Sequence, residues 1–422
     1  MVNVLLFLYH FTWSFLIILS LPFIFLIKNQ RVIEKLGLNL PSASFKSKSI
    51  WIHALSVGEV VSAIPLIRSL RREYPSREIV FTVATTQGMK IARDELEREV
   101  KFFIPMPLDF WWSVRKVVNH IQPSIFLLVE TDIWPGLISR LKKSGIKTII
   151  INGRVSPRTF LSYKRFRFLS RRLLNAMEIC LMQSELDKKR LLQVGVLPSK
   201  VKNVGNIKFD RKWMPMDQKE HDHWLQNLNI KSGNRLWVAG STHEGEEEIV
   251  LGVFKRLLRH FPTLSLVLAP RRIERSEDIL GLSLNQGLKT MLRTDLHGDR
   301  APFEVLILNT IGELDRIYGL AEISFVGGSL IPIGGHNLLE PASYGCPVLF
   351  GPHTHNFILM SELLIEAGGG KRVRDMEDLL ETMKGLLSDP EKAKIMGASA
   401  KEVVEKNRGA LKRVMGYVKT LM

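Results

Sequence analysis

Several carboxylates stand where a short apolar run gives way to a polar turn, the place where parallel α/β sheets put their binding sites. The first is Glu59 in residues 53–59 (HALSVGE), three positions after Ser56 and directly after Gly58. The dipole of a helix starting here would keep the Glu59 carboxylate ionised and ready to accept a proton. Gly58 would let the backbone pass close to a substrate. The spacing Ser-x-x-Glu is also that of a capping box, and the segment by itself favours this capping role.

A second pair of carboxylates, Glu130 and Asp132, lies at i and i+2 and therefore on one side of an extended segment. Trp134 and Pro135 follow, and a proline at a helix start makes a rigid exit from the strand. A carboxylate at the end of a buried strand is costly unless it has a function or a cationic partner. From this pattern, Glu130 could equally be a reactive carboxylate or a residue that forms a salt bridge at the rim of a binding cleft.

Basic residues follow the later strands of the first half. Lys208, in residues 205–210 (GNIKFD), would neutralise a leaving phosphate if it faced a binding site, and would otherwise be a solvated hinge lysine. Arg154 stands in the turn 152–156 (NGRVS). Residues 160–172 interleave arginine and lysine with aromatic side chains, which suits a surface that meets acyl chains and phosphates. Nucleic acid is the rival partner for this stretch, and we favour the membrane.

The second half carries a series of turns that suit phosphates and nucleotides. Ser241 and Thr242 lie at a strand-to-helix turn that forms a modest phosphate cradle, although Ser241 and Glu244 also have the spacing of a capping box. Pro270 and Arg271 end the next predicted strand, where a guanidinium can bind a phosphate through two parallel hydrogen bonds. These residues predict an anion site in the second half.

Three further segments follow in the second half. The turn 311–313 starts a helix and could offer backbone N–H groups to a base or a phosphate. A glycine-rich loop, 327–335, precedes Glu340, which would accept hydrogen bonds from ribose hydroxyls. His353 and His355 have no carboxylate nearby in the sequence, so we predict no metal site.

Short, β-branched apolar runs alternate with amphipathic stretches past residue 48, which predicts parallel sheets covered by helices on both faces. The predicted strands occupy 49–55, 78–85, 124–130, 147–153 and 179–184, and then 235–241, 265–270, 305–310, 322–328 and 347–352. A polar stretch separates the two series, and 422 residues are too many for one ordinary core. We therefore predict an α/β protein with two Rossmann-like domains, 29–212 and 213–422, facing a cleft.

The N-terminal segment has no charged residue from position 4 to position 27, which is long enough to cross a bilayer. Lys28, Arg31 and Lys35 follow it, and basic flanks of this kind remain in the cytoplasm. We predict an anchor helix at 1–28 that spans the membrane rather than lying on it, with the remaining chain cytoplasmic. The two cysteines have no CxxC spacing, which excludes a disulfide scaffold and favours a reducing compartment.

The formal net charge is +17, which favours polyanionic partners. Nucleic acid, an anionic membrane surface and phosphorylated or carboxylated substrates all fit, and charge alone does not choose among them. The charged fraction of 24% is ordinary for a folded protein and excludes wholesale disorder.

Taken in order, the motifs of this chain resemble those of the bacterial 3-deoxy-D-manno-octulosonic acid (Kdo) transferases, glycosyltransferase family 30, over nearly the whole length. They are HALSVGE (53–59), ETDIWP (130–135), NGRVS (152–156), GNIKFD (205–210), GSTHEGEEE (240–248), APRR (269–272), IGEL (311–314), FVGGSL (325–330) and GGHNLLEPASYGCPVLFGPHTHNF (334–357). The resemblance implies the GT-B fold, preceded by the membrane helix, with an acceptor-binding first domain and a donor-binding second domain. It also implies inverting transfer of Kdo from CMP-Kdo to the lipid A precursor (lipid IVA) in lipopolysaccharide biosynthesis at the inner membrane, without a cofactor.

The resemblance also assigns roles to residues. Glu59 matches the base that deprotonates the acceptor hydroxyl, a role compatible with capping, and Glu130 and Lys208 match positions that stabilise the transition state. The positions that match the CMP-binding site are Pro270, Arg271, Ile311, Gly312, Glu313, Asn337, Leu338, Leu339 and Glu340. The secondary candidates are Ser56, Gly58, Arg154, Ser241 and Thr242. This chain departs from the family at Asp132, where glutamate is usual, and at Gly153, where alanine is common.

The expected partners are CMP-Kdo, the lipid A precursor and an anionic membrane surface, with no nucleic acid. One alternative is another GT-B glycosyltransferase that uses a UDP-sugar on a membrane lipid. A UDP-sugar epimerase of the same fold and a membrane-tethered nucleotide or nucleic-acid binder are further alternatives. Only a transferase needs the carboxylate at position 59.

Overall fold

The computed structural model describes residues 9, 11–20, 30–41, 48–211, 213, 216–230, 233–296 and 303–422. The chain divides into two compact units. The first contains Met1–Arg211 together with Arg408–Met422, and the second contains Lys212–Asn407. The second domain predicted from the sequence, 213–422, therefore extends too far, because residues 408–422 belong to the first unit.

The first unit is built on a single parallel sheet. Its strands are β1 (Ser49–Ala54), β2 (Ile79–Val83), β3 (Phe102–Pro105), β4 (Pro123–Val129), β5 (Lys147–Gly153), β6 (Ile179–Met182) and β7 (Val201–Asn203). Their order across the sheet is β3-β2-β1-β4-β5-β6-β7, and every pairing is parallel. The chain starts at the centre and winds outward in both directions, as in Rossmann-like folds.

Helices connect these strands. They are α1 (Gln30–Lys35), α2 (Val57–Glu73), α3 (Thr86–Leu96), α4 (Trp111–Ile121), α5 (Pro135–Lys143), α6 (Pro157–Arg165), α7 (Arg167–Ala176) and α8 (Glu185–Val194). The central strands are apolar along their length because helices cover both faces of the sheet. His53 of β1 lies opposite Leu128 of β4, which lies opposite Ile150 of β5. Since the three strands run in the same direction, the residues that follow them meet at one edge of the sheet.

The second unit repeats this plan. Its strands are β8 (Arg235–Thr242), β9 (Leu264–Pro270), β10 (Thr290–Leu292), β11 (Val305–Ile307), β12 (Ile323–Val326), β13 (Val348–Phe350) and β14 (Gly370–Arg372). Their order is β10-β11-β9-β8-β12-β13-β14, again parallel. Its helices are α9 (Gln218–Asn227), α10 (Glu246–Leu258), α11 (Ser276–Asn285), α12 (Leu314–Ile317), α13 (Leu339–Tyr344), α14 (Ile358–Glu366), α15 (Met376–Ser388) and α16 (Pro390–Lys406).

The last helix, α17 (Ala410–Leu421), explains why the C-terminus belongs to the first unit. Ala410, Val414 and Val418 lie on one face of α17 and are buried in the core that contains β1 and α2. The Asp210 carboxylate accepts hydrogen bonds from the backbone N–H groups of Gly409 (2.5 Å) and Leu411 (2.6 Å) at the start of this helix. Apolar burial and a charged cap therefore hold α17 on the first unit.

The predicted anchor at 1–28 falls mainly outside the described residues. Residues 9 and 11–20 are helical. Across the ranges given above, no helix is both long enough and apolar enough to span a bilayer. The anchor helix predicted at 1–28 stays a prediction.

Candidate active site

The carboxyl edge of the first sheet brings together four side chains from three segments that are far apart in the sequence. Glu59 follows β1, Glu130 and Asp132 follow β4, and Lys208 follows β7. The charges of Glu130 and Asp132 both act on the Glu59 carboxyl. All three residues that the sequence predicted to be catalytic in this half therefore lie at one edge of one sheet.

Glu59 is a buried carboxylate at the start of α2, with only 7% of its surface exposed. Its Oε2 accepts a hydrogen bond from the Leu55 N–H (2.6 Å), and its Oε1 accepts one from the Ser56 hydroxyl (3.2 Å). The Ser56 Oγ in turn accepts a hydrogen bond from the Glu59 N–H (3.4 Å). The side chain thus has capping contacts like those of a capping box, although its backbone donor is Leu55 rather than the N-cap residue Ser56.

Burial also shifts the pKa of the Glu59 carboxyl into the range that suits a general base. Desolvation, reinforced by the negative charge of Glu130, raises the pKa of the Glu59 carboxyl to about 7, against the lowering effect of its hydrogen bonds to Leu55 and Ser56. A base is most effective when its pKa lies near the working pH. Gly58 leaves the approach open, because among the described residues a Cβ there would meet only the Ser56 Oγ within 4 Å, at 4.0 Å.

Glu130 sits in an unusual backbone conformation that directs it toward a cation. Its φ is 61°, in the left-handed region that non-glycine residues adopt at a cost of about 1–2 kcal/mol. Its Oε1 lies 3.1 Å from the Lys208 Nζ. Such strain tends to occur at functional sites, where the surrounding structure enforces it.

A separate set of hydrogen bonds positions Lys208. The Asn206 side chain accepts a hydrogen bond from the Lys208 N–H (2.9 Å) and donates one to Gln183 (2.8 Å). The Asn152 side chain, at the end of β5, accepts one from the Ile207 N–H (3.0 Å). The short helical turn that carries Lys208 is therefore anchored on buried amides, and Lys208 is not a solvated hinge residue.

We expect Lys208→Gln to lower kcat for glycosyl transfer about 100-fold, which is typical when a group that stabilises transition-state charge is removed. The free energy of unfolding should change by less than about 1 kcal/mol, because the Glu130–Lys208 pair is partly exposed. Steady-state kinetics and urea denaturation would measure the two effects. Lys202→Gln on β7 is the matched control, and an unchanged kcat in Lys208→Gln would contradict a role in the reaction.

Asp132 is held by its neighbours rather than directed at Glu59. Its Oδ2 accepts a hydrogen bond from the Trp134 indole N–H (2.7 Å). The same oxygen lies 3.7 Å from Nε2 of the buried His53, too far for a hydrogen bond. Aspartate at this position therefore forms an indole contact that stiffens the turn before α5.

The other departure from the family, Gly153, has a packing explanation. A Cβ at this position would lie 2.6 Å from the Met182 sulfur of the neighbouring strand. Alanine would fit only if the flexible end of Met182 moved. The glycine therefore accommodates Met182 in the core of the first unit.

Arg154 is tied through its backbone to the loop after β4. Its carbonyl accepts a hydrogen bond from the Thr131 hydroxyl, which joins the turn after β5 to the loop after β4. The basic and aromatic stretch that follows forms α6 and α7, where Leu161, Phe166 and Phe168 are exposed.

Asp109 is a buried residue at this site that the sequence analysis missed. It is 1% exposed, and its carboxylate accepts hydrogen bonds from the backbone N–H groups of Gly136 (2.7 Å) and Leu137 (2.6 Å) in the first turn of α5. It also accepts one from the Tyr9 hydroxyl (2.8 Å). Asp109 therefore positions the helix that follows the Glu130–Asp132 loop and ties it to the N-terminal segment. No local spacing indicates this role, since Asp109 lies outside every motif.

In the second unit, Glu246 organises the loops that follow β8 and β12. Its buried carboxylate accepts hydrogen bonds from the N–H groups of His243 (3.1 Å), Gly328 (2.6 Å), Ser329 (3.0 Å) and Leu330 (2.9 Å). One residue of α10 thus fixes two loops in space.

The capping box predicted for Ser241 and Glu244 is wrong. Residues 241 and 242 are the end of β8, Ser241 has a φ of 57°, and α10 begins only at Glu246 with Gly245 as its N-cap. The strand runs past the predicted turn because Thr242 still pairs with Pro270 of β9.

The predicted CMP-binding residues lie on several loops of this unit. Pro270 is buried at the end of β9, whereas Arg271 is exposed and its N–H donates to the Thr242 carbonyl (2.9 Å). Ile311 is 85% exposed, and Gly312 has a φ of 94°. Glu313 follows in the same turn, and its carboxylate accepts hydrogen bonds from Arg293 (2.9 Å) and Thr310.

The remaining predicted CMP-binding residues surround the start of α13. The Asn337 side chain accepts a hydrogen bond from the Leu339 N–H (3.2 Å) and donates one to Glu340 (3.1 Å). Leu338 and Leu339 are buried in the core. Their side chains therefore pack inside the unit, and only their backbone groups remain for a ligand.

Histidine, cysteine, aspartate and glutamate side chains form no group of three or more that could hold a metal ion in the part of the chain that the structure describes. His243 and His336 form a hydrogen-bonded pair in the second unit.

The two parallel α/β units have the fold of the GT-B glycosyltransferases and their structural relatives. A glycosyltransferase from Rickettsia africae ESF-5 covers 89% of this chain and 99% of its own, at 14% identity and a TM-score of 0.61. A UDP-GlcNAc 2-epimerase from Neisseria meningitidis, bound to UDP-GlcNAc, covers 89% of this chain and 100% of its own, at 16% identity and a TM-score of 0.61. At these identities, the similarity shows the fold alone.

Sequence comparison defines the family. Residues 30–211 match the 3-deoxy-D-manno-octulosonic-acid transferase (kdotransferase) family. The 3-deoxy-D-manno-octulosonic acid transferase of Haemophilus influenzae is 33% identical over 396 residues, which are 92% of this chain and 91% of the relative. The chain belongs to the Kdo transferase family and is a glycosyltransferase, as its motifs indicated.

Proposed function

We propose that this enzyme transfers Kdo from CMP-Kdo to the lipid A precursor, with inversion at the anomeric carbon. The observation that carries the proposal is Glu59, a buried carboxylate whose pKa is raised to about 7, beside the Glu130–Lys208 ion pair. A family that transfers an acidic sugar needs a base for the acceptor hydroxyl and positive charge for the departing phosphate.

The reaction is a single displacement in which Glu59 takes up the proton. The acceptor hydroxyl oxygen attacks the anomeric carbon and forms the new glycosidic bond while its proton passes to the Glu59 carboxylate. The bond between the anomeric carbon and the phosphate oxygen breaks, and its electron pair leaves with CMP. Lys208, held by Glu130, stabilises the negative charge that develops, and Arg271 with the 311–313 and 337–340 segments binds the nucleotide.

We also propose that the N-terminal segment holds the enzyme on the inner membrane, with the rest of the chain in the cytoplasm. In support, Phe11, Phe15 and Ile18 of the helical stretch 11–20 are each more than half exposed. Exposed aromatic and aliphatic side chains of this kind favour a lipid environment. The basic residues that follow the segment would meet the anionic headgroups.

A transfer assay tests the proposed function. Detergent-solubilised full-length protein is incubated with enzymatically generated CMP-Kdo and tetra-acylated lipid A precursor, and the products are read by mass spectrometry. We expect the acceptor to gain the mass of one or more Kdo residues. Transfer from UDP-sugars to the same lipid, with none from CMP-Kdo, would overturn the proposed donor.

A further inference from the structure

A cavity in the second unit lies at the end of β8 and involves residues outside the predicted CMP-binding set. Its volume is about 350 Å³. Three segments build it: the end of β8, the turn after β9 and the loop after β12. Its lining residues are Thr242, His243, Glu244, Arg272, Arg275, Ile331 and Ile333.

The two arginines of the cavity differ in what they can bind. The Arg275 guanidinium lies 2.9 Å from the buried carboxylate of Glu247, so its charge is largely compensated. Arg272 is exposed, and within the described ranges its guanidinium has no ion-pair or hydrogen-bond partner. Arg272 is therefore the cation of this cavity that can bind an external anion, and its planar fork suits a carboxylate.

Two neutral histidines, His243 and His336, connect two of the loops that form the cavity wall. The Nε2 atoms of His243 and His336 are 2.8 Å apart, and the two ring planes are nearly parallel. A hydrogen bond between two imidazole nitrogens needs one of them unprotonated. Burial lowers the pKa of His336 to about 4, and both burial and the nearby arginines lower the pKa of His243. The pair thus joins the β8 loop to the glycine-rich loop without adding charge.

The remaining lining suits a polyhydroxylated ring. The Glu244 carboxylate can accept hydrogen bonds from hydroxyl groups, and Ile331 and Ile333 offer an apolar surface to a sugar face. A volume of about 350 Å³ is near the lower end for small-molecule sites and suits one monosaccharide better than a whole nucleotide sugar. We propose that this cavity binds the sugar of the donor, and that Arg272 binds its carboxylate. The proposal rests on the proposed function and deepens it.

Separating sugar affinity from nucleotide affinity tests this assignment. In the full-length enzyme, Arg272→Gln is expected to raise the KM for CMP-Kdo at least about 10-fold, while the inhibition constant of CMP stays within about twofold. Arg272→Lys should recover part of the loss, since it keeps the charge without the fork. Arg259→Gln, at another exposed arginine of the same unit, is the matched control and should match the unaltered enzyme.

Two kinetic outcomes would overturn the assignment. An Arg272→Gln enzyme in which CMP binding weakens as much as the KM rises would mean that Arg272 binds phosphate. Unchanged KM and CMP inhibition would mean that the donor does not use the cavity.

Binding of free Kdo, followed by saturation-transfer NMR, separates this proposal from the proposed function. Protein that binds Kdo through Arg272 but transfers none would contradict the function and retain the site. Active protein in which Arg272→Gln leaves Kdo binding unchanged would contradict the site alone.

Discussion

Glu59→Gln is expected to lower Kdo transfer by about 1,000-fold, because an amide cannot take the proton of the acceptor hydroxyl. Glutamine keeps an acceptor for the Leu55 N–H and a group that can hydrogen-bond Ser56, so the capping contacts and the fold should persist. Initial rates with CMP-Kdo and the lipid acceptor would measure the loss. The matched control is Glu97→Gln, an exposed glutamate after α3, which should leave the rate unchanged.

The same variant makes two predictions about pH. In the unaltered enzyme, kcat/KM should fall as pH drops below about 7, because protonated Glu59 is no longer a base. In the Glu59→Gln enzyme, this fall of kcat/KM at low pH should be absent. An active Glu59→Gln enzyme that kept the pH dependence would assign the base to another residue.

Glu59→Gln should make the folded protein more stable although it lowers the rate of transfer. The folded-state pKa of Glu59 is raised from 4.5 to about 7, so the folded protein binds the proton more tightly than the unfolded chain. The stability associated with this group is therefore fully present below pH 4.5 and is lost as pH rises to about 7. At pH 8, Glu59→Gln should raise the free energy of unfolding by about 1–3 kcal/mol. Denaturation at pH 5 and pH 8 would show whether the gain appears only at the higher pH.

Glu246→Ala is expected to lower the free energy of unfolding of the second unit by roughly 3–5 kcal/mol. Four backbone N–H groups, those of His243, Gly328, Ser329 and Leu330, lose their charged acceptor. The two loops that they belong to should loosen together, and donor affinity should fall with them.

Amide hydrogen exchange of Gly328, Ser329 and Leu330, together with chemical denaturation, would measure the effect of Glu246→Ala. Glu248→Ala is the matched control because Glu248 lies in the same helical turn but is exposed. Equal stability of the two variants would show that Glu246 does not organise these loops.

The sequence predicted the central strands of both sheets but missed β3, β7, β10 and β14. These four strands have three or four residues each and lie toward the sheet edges. Short edge strands carry a weak pattern, since few residues alternate and one side has no neighbouring strand. The C-terminal helix was assigned to the wrong unit for a related reason. Periodicity shows that α17 has an apolar face and does not show which core buries it.

The candidate active site also separates what local spacing predicts from what only the tertiary structure shows. The motif around Glu59 indicated both a cap and a base, and the structure contains the capping contacts together with burial that raises the carboxyl pKa. Glu130 and Lys208 are 78 residues apart, and no local rule pairs them. The sequence analysis missed Asp109 because its hydrogen-bond partners, Gly136 and Leu137, lie 27 and 28 residues away in the sequence.

The sequence by itself determined the alternation of strands and helices, the family, and the residues that could be catalytic. These properties depend on residue types and short spacings, which can be read along the chain. The tertiary structure decided which side chains meet, that Lys208 pairs with Glu130, that Glu246 rather than Ser241 and Glu244 organises the second unit, and that Arg272 faces a cavity. Desolvation and Coulomb energies depend on distances in space between residues remote in sequence, so only the folded chain sets them.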